Sequence, residues 1–227
     1  MINLGVLTIA AITNGLNPCG IGLMITFLGY LLVFGEGEKK KKWILTLGAV
    51  YILSVFVTYL LTGILFYGAA YYLQRWWLAS VFKYIIGILV LGAGLIQIKD
   101  VFWQDLPVHL RMPMKGFEKL NTLMMKASLP MTAVVGFLTT VFATPCMLPL
   151  YVGTATVLAR SGLPMAGILF YFVYYNLIFI LPLILILLVM SGGREIVSMK
   201  EWEHKNIKWM RLLLGVAMLV VAWLIVK

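Results

Sequence analysis

The chain of 227 residues is 63% hydrophobic and only 11% charged, and its mean hydropathy is +1.01. Soluble domains are closer to half apolar and a quarter charged, so this composition excludes a soluble globular protein and indicates a chain solvated by lipid. The net charge of +10 suits either nucleic acid or anionic lipid. The distribution of the basic residues favours lipid and requires no nucleic-acid partner.

Long apolar segments follow one another along the chain. A membrane-spanning helix needs about 20 consecutive apolar residues. We expect six spans, at 4–34, 43–73, 81–98, 128–158, 164–190 and 207–226. No basic residue precedes Lys39, so we expect the first segment to be a retained span and not a secretory signal. The sequence therefore predicts an all-α polytopic membrane protein with six transmembrane helices.

The basic residues predict the orientation. Fourteen of the eighteen Lys and Arg residues fall in the loops after the first, third and fifth predicted spans, or just inside the sixth. The positive-inside rule assigns those loops to the cytoplasm, which leaves both termini outside an integral protein of the cytoplasmic membrane. The longest loop, 99–127, mixes basic and apolar residues. We expect it to lie at the membrane interface or to dock a cytosolic partner.

Two short motifs indicate an internal repeat. The Asn-Pro-Cys sequence at 17–19 resembles the Thr-Pro-Cys sequence at 144–146, and each lies near the middle of the first span in a group of three. Three is an odd number, so the two groups insert with opposite orientation. We therefore predict two inverted three-helix repeats, at 1–98 and 128–227, joined by a connector at 99–127. In such repeats the working site lies at the bilayer midplane, on discontinuous helices.

Helix-breaking residues surround both motifs. Proline removes a backbone donor and clashes with the preceding turn, and the freed groups need partners or a water-lined cavity. We therefore expect both helices to be broken at the cysteine. The residues expected to shape the two openings are Asn17, Pro18, Gly20, Gly22, Thr144, Pro145 and Pro149.

Cys19 and Cys146 are the only cysteines of the chain. A free cysteine is often simply a small buried hydrophobe. Here each half contributes one cysteine, directly after proline and at mid-span, which favours a pair that acts by thiol–disulfide exchange. Such a pair reacts only when a thiolate and its partner have access to each other, and it forms a bridge only at a Cα separation of about 4.4–6.8 Å.

A second hypothesis is a soft-metal or small-solute transporter in which the same two cysteines are ligands. No third ligand is evident at mid-span, and no acidic residue lies within a predicted span except near its ends. A structural membrane subunit with incidental cysteines is a third option. His109 and His204 have no ligand-spaced partner, so we expect no bound metal and no other cofactor. Asn176 is expected to form a hydrogen bond across helices.

The paired motifs resemble the cytochrome c biogenesis transmembrane family, CcdA, which is similar to the membrane domain of DsbD. Residues 144–149, Thr-Pro-Cys-Met-Leu-Pro, match its Pro-Cys-x-x-Pro pattern, whereas Gly22 stands where the first half usually has its second proline. The resemblance covers nearly the whole chain. It implies that Cys19 and Cys146 cycle between disulfide and dithiol, as an electron carrier and not a conventional enzyme. It further implies cytosolic thioredoxin as donor, an extracytoplasmic thioredoxin-like acceptor, and a use in cytochrome c maturation.

Overall fold

A computed structural model describes residues 4–34, 40–74, 79–102, 123, 128–159, 164–192 and 196–226. This part of the chain contains helices and no strand, in agreement with the predicted all-α class. The helices are α1 (Leu4–Gly15), α2 (Pro18–Phe34), α3 (Lys40–Gln74), α4 (Ala79–Phe102), α5 (Leu129–Ala159), α6 (Met165–Ser191) and α7 (Ile196–Val226). The predicted connector at 99–127 lies mostly outside the described residues.

Four described helices are long and apolar enough to cross a membrane. The qualifying segments are Lys41–Ala69, Tyr84–Phe102, Ala166–Ser191 and Val197–Val226. Helices α1 and α2 meet at a bend of 44°, and they add a fifth candidate span if the bent pair is counted as one. Large apolar side chains cover the outward faces, among them Leu65, Ile88 and Phe170, as a lipid environment requires. The chain is therefore a helical integral membrane protein.

Helix α5 corresponds to the fourth predicted span. Its described apolar portions, Leu129–Ala143 and Pro149–Leu158, are each shorter than a bilayer-spanning helix. Six spans and the inverted repeat therefore remain predictions, whereas the helical class and four to five candidate spans are observed.

Several basic residues expected in loops lie on helices instead. Lys41 and Lys42 belong to the first turn of α3, Lys99 to the last turn of α4, and Lys200 and Lys205 to α7. Lysine is a good helix former, and its long apolar stem covers helix surface while the ammonium reaches water. The helices consequently continue beyond the apolar segments from which the spans were predicted.

The helices pack in pairs that connect distant parts of the sequence. The most extensive contacts join α4 to α7 and α3 to α5, and α6 packs against α3 and α1. A Cβ atom on Gly94 would lie 3.1 Å from the carbonyl oxygen of Gly215, so the backbones of α4 and α7 touch there. Near that contact, the buried Arg211 donates a hydrogen bond from Nη1 to the carbonyl oxygen of Asp100 at 3.4 Å. Asp100 also pairs with Lys99 at 2.9 Å.

Candidate redox site

A disulfide bond joins Cys19 of helix α2 to Cys146 of helix α5. The two Cα atoms are 6.8 Å apart, although 127 residues separate the cysteines in sequence. Cys146 has no exposed surface, whereas Cys19 is only partly buried at the edge of the core. The predicted pair is thus brought together, and Cys19 is more exposed than Cys146.

The helix break before Cys19 is built by Asn17 and Pro18. Helix α1 ends at Gly15, and α2 begins at Pro18, the first-turn position where a missing N–H costs least. Asn17 is the N-cap of α2, since its backbone carbonyl accepts a hydrogen bond from the N–H of Ile21 at 3.1 Å and its Oδ1 accepts one from the N–H of Cys19 at 3.0 Å. The expected break in the first half is therefore present, two residues before the cysteine.

The side chain of Asn17 also connects the two cysteine segments. Its Nδ2 donates a hydrogen bond to the carbonyl oxygen of Cys146 at 3.3 Å, and the residue has no exposed surface. One amide therefore caps the helix of Cys19 with its oxygen and holds the backbone of Cys146 with its nitrogen. This link does not depend on the disulfide bond.

Helix α5 differs from the expectation for the second half. It runs from Leu129 to Ala159 without interruption, so the predicted break at Cys146 is wrong. Membrane helices tolerate proline where neighbouring groups satisfy the freed backbone, and here Pro149 lies within the helix, half-buried. The side chains of Thr144 and Pro145 lie outside the described residues.

Glycines allow other helices to approach the break closely. A Cβ atom on Gly15 would lie 2.5 Å from the carbonyl oxygen of Phe179 in α6. On the α2 side, a Cβ atom on Gly20 would lie 2.7 Å from Cε of Met147, the residue after Cys146. The absence of a side chain at Gly20 therefore lets Met147 of α5 pack against α2.

A buried polar network surrounds the Met147 side of the disulfide. The Tyr59 hydroxyl donates a hydrogen bond to Sδ of Met147, and the Tyr151 hydroxyl donates one to the carbonyl oxygen of Tyr59 at 2.8 Å. Asn176 donates to the Tyr151 hydroxyl at 3.0 Å, which confirms its predicted bond across helices. The side-chain amide of Asn14, three residues before Asn17, is also buried.

A small cavity lies against the residues that follow the two cysteines. Its volume is about 10 Å³, close to the minimum for a single water molecule. The residues that line it include Gly20, Tyr51, Tyr59, Thr139 and Met147. The cavity therefore lies between the disulfide and the buried tyrosine network.

Two features of the site were not predicted. The tyrosines of the network lie in predicted spans, where an aromatic residue gives no signal of its contacts. Glu203 of α7 lies against Gly22, although its sequence position suggested a loop residue.

No cluster of three or more His, Cys, Asp or Glu that could hold a metal occurs among the described residues. His204 is exposed, and His109 lies outside the described part of the chain.

Comparisons with protein-family models, with curated proteins and with solved structures give no match for this chain. The fold and the site nevertheless define a class of protein. The chain is a helical integral membrane protein whose two cysteines form a buried disulfide bond between helices.

Proposed function

We propose that the chain is a transmembrane carrier of reducing equivalents that works by thiol–disulfide exchange. The observation that supports this most strongly is the disulfide bond between the only two cysteines of the chain, which are 127 residues apart in sequence. One of them, Cys19, lies directly beside a helix break. A purely structural disulfide does not require an interrupted helix or a partly accessible sulfur. Exchange requires access, because an incoming thiolate must reach one of the two sulfur atoms, and Cys19 is the more exposed of the two cysteines.

The proposed reaction balances as a two-electron, two-proton exchange. A thiolate of a reduced donor attacks one sulfur of the Cys19–Cys146 bond, and a mixed disulfide forms while the other cysteine leaves as a thiolate. The second donor thiol then displaces the remaining cysteine. The donor ends as a disulfide, and the chain ends as two thiols that have gained two protons. The same steps in reverse reduce an acceptor on the other side.

The proposed partners follow from the resemblance to the CcdA family and the DsbD membrane domain. Cytosolic thioredoxin is the proposed donor, an extracytoplasmic thioredoxin-like protein is the acceptor, and cytochrome c maturation is the use. The accompanying architecture is six spans in two inverted repeats, in the cytoplasmic membrane, with both termini outside. The predominance of basic residues in alternate connections supports that orientation.

Thiol trapping in membranes tests the proposal. The protein is incubated with reduced thioredoxin or without it, quenched in acid, and alkylated with a reagent that adds a resolvable mass to each thiol. We expect no alkylation before reduction and two alkylated thiols afterwards. Cys19→Ser and Cys146→Ser variants should insert normally and transfer no electrons to an outer acceptor.

Two outcomes would contradict the redox proposal. One is a pair of free thiols under every oxidising condition, and the other is full transfer in either serine variant. Stoichiometric binding of Cu(I) or Cd(II) that requires both sulfurs, with no thioredoxin reaction, would instead support the soft-metal hypothesis.

A further inference from the structure

Glu203 places a carboxylate group against the helix that carries Cys19. Glu203 is half-buried on α7, whereas Glu201 and His204 beside it are exposed. A Cβ atom built on Gly22 would lie 2.6 Å from Oε1 of Glu203 and 3.5 Å from Oε2. The carboxylate therefore occupies space that exists because residue 22 has no side chain.

Gly22 is a direct neighbour of Cys19 on the surface of α2. Residues three apart on a helix have Cβ positions roughly 5–6 Å apart, and helical side chains tilt toward the N-terminus. From Gly22 that direction leads toward Cys19. The Glu203 carboxylate thus lies about one helical turn along α2 from Cys19, and a proton can pass between two such groups through an intervening water molecule.

Among the residues that the structure describes, few other charged groups lie near this carboxylate. The nearest are Lys200 and His204, both exposed and on the same helix. Helices α1, α2 and α5, which pack against α7, contain no Asp, Glu, Lys or Arg. On α4, Lys99 and Asp100 pair with each other. An ionisable side chain that is turned inward among apolar helices indicates a functional role.

The exchange reaction requires a proton at Cys19 in every cycle. A donor thiolate releases one cysteine sulfur in the first step and the other in the second. Cys19 therefore leaves once as a thiolate, whichever sulfur is attacked first. A thiolate in apolar surroundings is unstable. Unless it is protonated, it attacks the newly formed disulfide and reverses the exchange step.

Resting on the proposed redox function, we propose that Glu203 exchanges a proton with the Cys19 sulfur in each cycle. When Cys19 leaves as a thiolate, the O–H bond of the Glu203 carboxylic acid breaks and a Cys19 S–H bond forms. The resulting carboxylate regains its proton from water at the exposed, lysine-bearing end of α7. When reduced Cys19 attacks an acceptor disulfide, the same carboxylate removes the thiol proton.

Two variants disturb this contact in different ways, and a third serves as control. Glu203→Gln keeps the shape of the side chain but cannot exchange a proton. Gly22→Ala adds a Cβ that displaces the flexible carboxylate end. Glu201→Gln changes an exposed carboxylate two residues away on the same helix. Each protein is studied in lipid nanodiscs with dithiothreitol as reductant and iodoacetamide as thiol probe, so that thioredoxin is not needed.

The first readout is the rate at which dithiothreitol opens the disulfide. General acid–base groups contribute roughly a hundredfold or more, so we expect at least about a tenfold loss in Glu203→Gln and Gly22→Ala. The second readout is the pH dependence of Cys19 alkylation in the reduced protein, located by peptide mass. Half-maximal alkylation should move to lower pH in both variants, because a negative neighbour that opposes the thiolate has been removed. Glu201→Gln should match the wild type.

Rates and pH profiles in both variants that superimpose on the wild type would overturn the role of Glu203. If Glu203→Gln fails to fold, Gly22→Ala alone decides the question. The two proposals fail separately. Loss of the thioredoxin reaction with intact Glu203 effects refutes only the proposed donor, whereas normal thioredoxin transfer in Glu203→Gln refutes only the proton exchange.

Discussion

The two Pro-Cys segments have similar sequences and different structures. Before Cys19 the helix ends, and a new one begins with Asn17 as its cap. At Cys146 the helix continues without interruption. In the first segment the Asn17 side chain caps the new helix, whereas in the second the helix continues through Pro149. The comparison teaches that proline alone does not break a membrane helix.

The two segments also expose their cysteines to different degrees. The interrupted segment presents Cys19 at the edge of the core, and the continuous helix holds Cys146 in the interior. We therefore expect reagents and partner thiols to meet Cys19 first. The following predictions test this asymmetry, starting with the largest expected effect.

Single-cysteine variants measure the asymmetry directly. In Cys146→Ser, the remaining Cys19 should react with a polar maleimide about a hundredfold faster than Cys146 does in Cys19→Ser, because access of the reagent limits the rate. Labelling is followed in intact membranes by gel shift. The denatured variants should react at equal rates, which serves as the control. Equal rates in the folded proteins would show that the break gives no selective access.

Asn17→Ala tests the residue that forms the break. The variant loses an N-cap, worth about 1 kcal/mol, and the hydrogen bond from Nδ2 to the Cys146 carbonyl of α5, worth about another 1 kcal/mol, so we expect a loss of about 2 kcal/mol in the free energy of unfolding. Unfolding is followed by circular dichroism in a mixed-detergent titration. Thr26→Ala is the matched control, since its hydroxyl bonds only to Gly22 within α2. A loss no greater than that of Thr26→Ala would contradict the assigned role of Asn17.

Three glycine-to-alanine changes test how closely the helices pack at and away from the break. Gly15→Ala should lower the free energy of unfolding by between about 1 and 2 kcal/mol, because its Cβ meets the backbone carbonyl of Phe179. Gly20→Ala should cost less, since the end of Met147 can move. Gly92→Ala meets nothing within 4 Å and should stabilise α4 by about 0.5–1 kcal/mol. The same detergent titration gives this order, and a Gly20→Ala cost equal to that of Gly15→Ala would contradict it.

Sequence patterns predicted the helical membrane class and the pairing of the cysteines. Lipid leaves an apolar segment few alternatives to a helix, so segment length predicts a span, and α3, α4, α6, α7 and the bent pair α1 and α2 are long and apolar enough to be spans. The pattern around Cys19 also predicted a break, since proline and glycine act locally. These successes rest on interactions within a few residues of chain.

Contacts between distant residues were not predictable in the same way. Glu203 meets Gly22 across 181 positions, and nothing near either residue indicates the contact. The continuity of α5 through its prolines depends on neighbouring helices, which a single segment does not reveal. Lysines at helix ends were assigned to loops on the assumption that a charged residue ends the helix. A charged residue ends the apolar segment, but the helix itself continues past it.

The contact of α4 with α7 has a consequence for synthesis in the cell. The buried Gln97 and Asp100 of α4 are enclosed by helices that include α7, which is synthesised after α4. Until α7 is inserted, the polar side chains of α4 are uncovered. During that time α4 is either held by the insertion machinery or exposed to lipid. Chains truncated before 196 would remain in that unfinished state, and quality-control proteases should recognise them. The insertion of α7 thereby completes the burial of these two side chains.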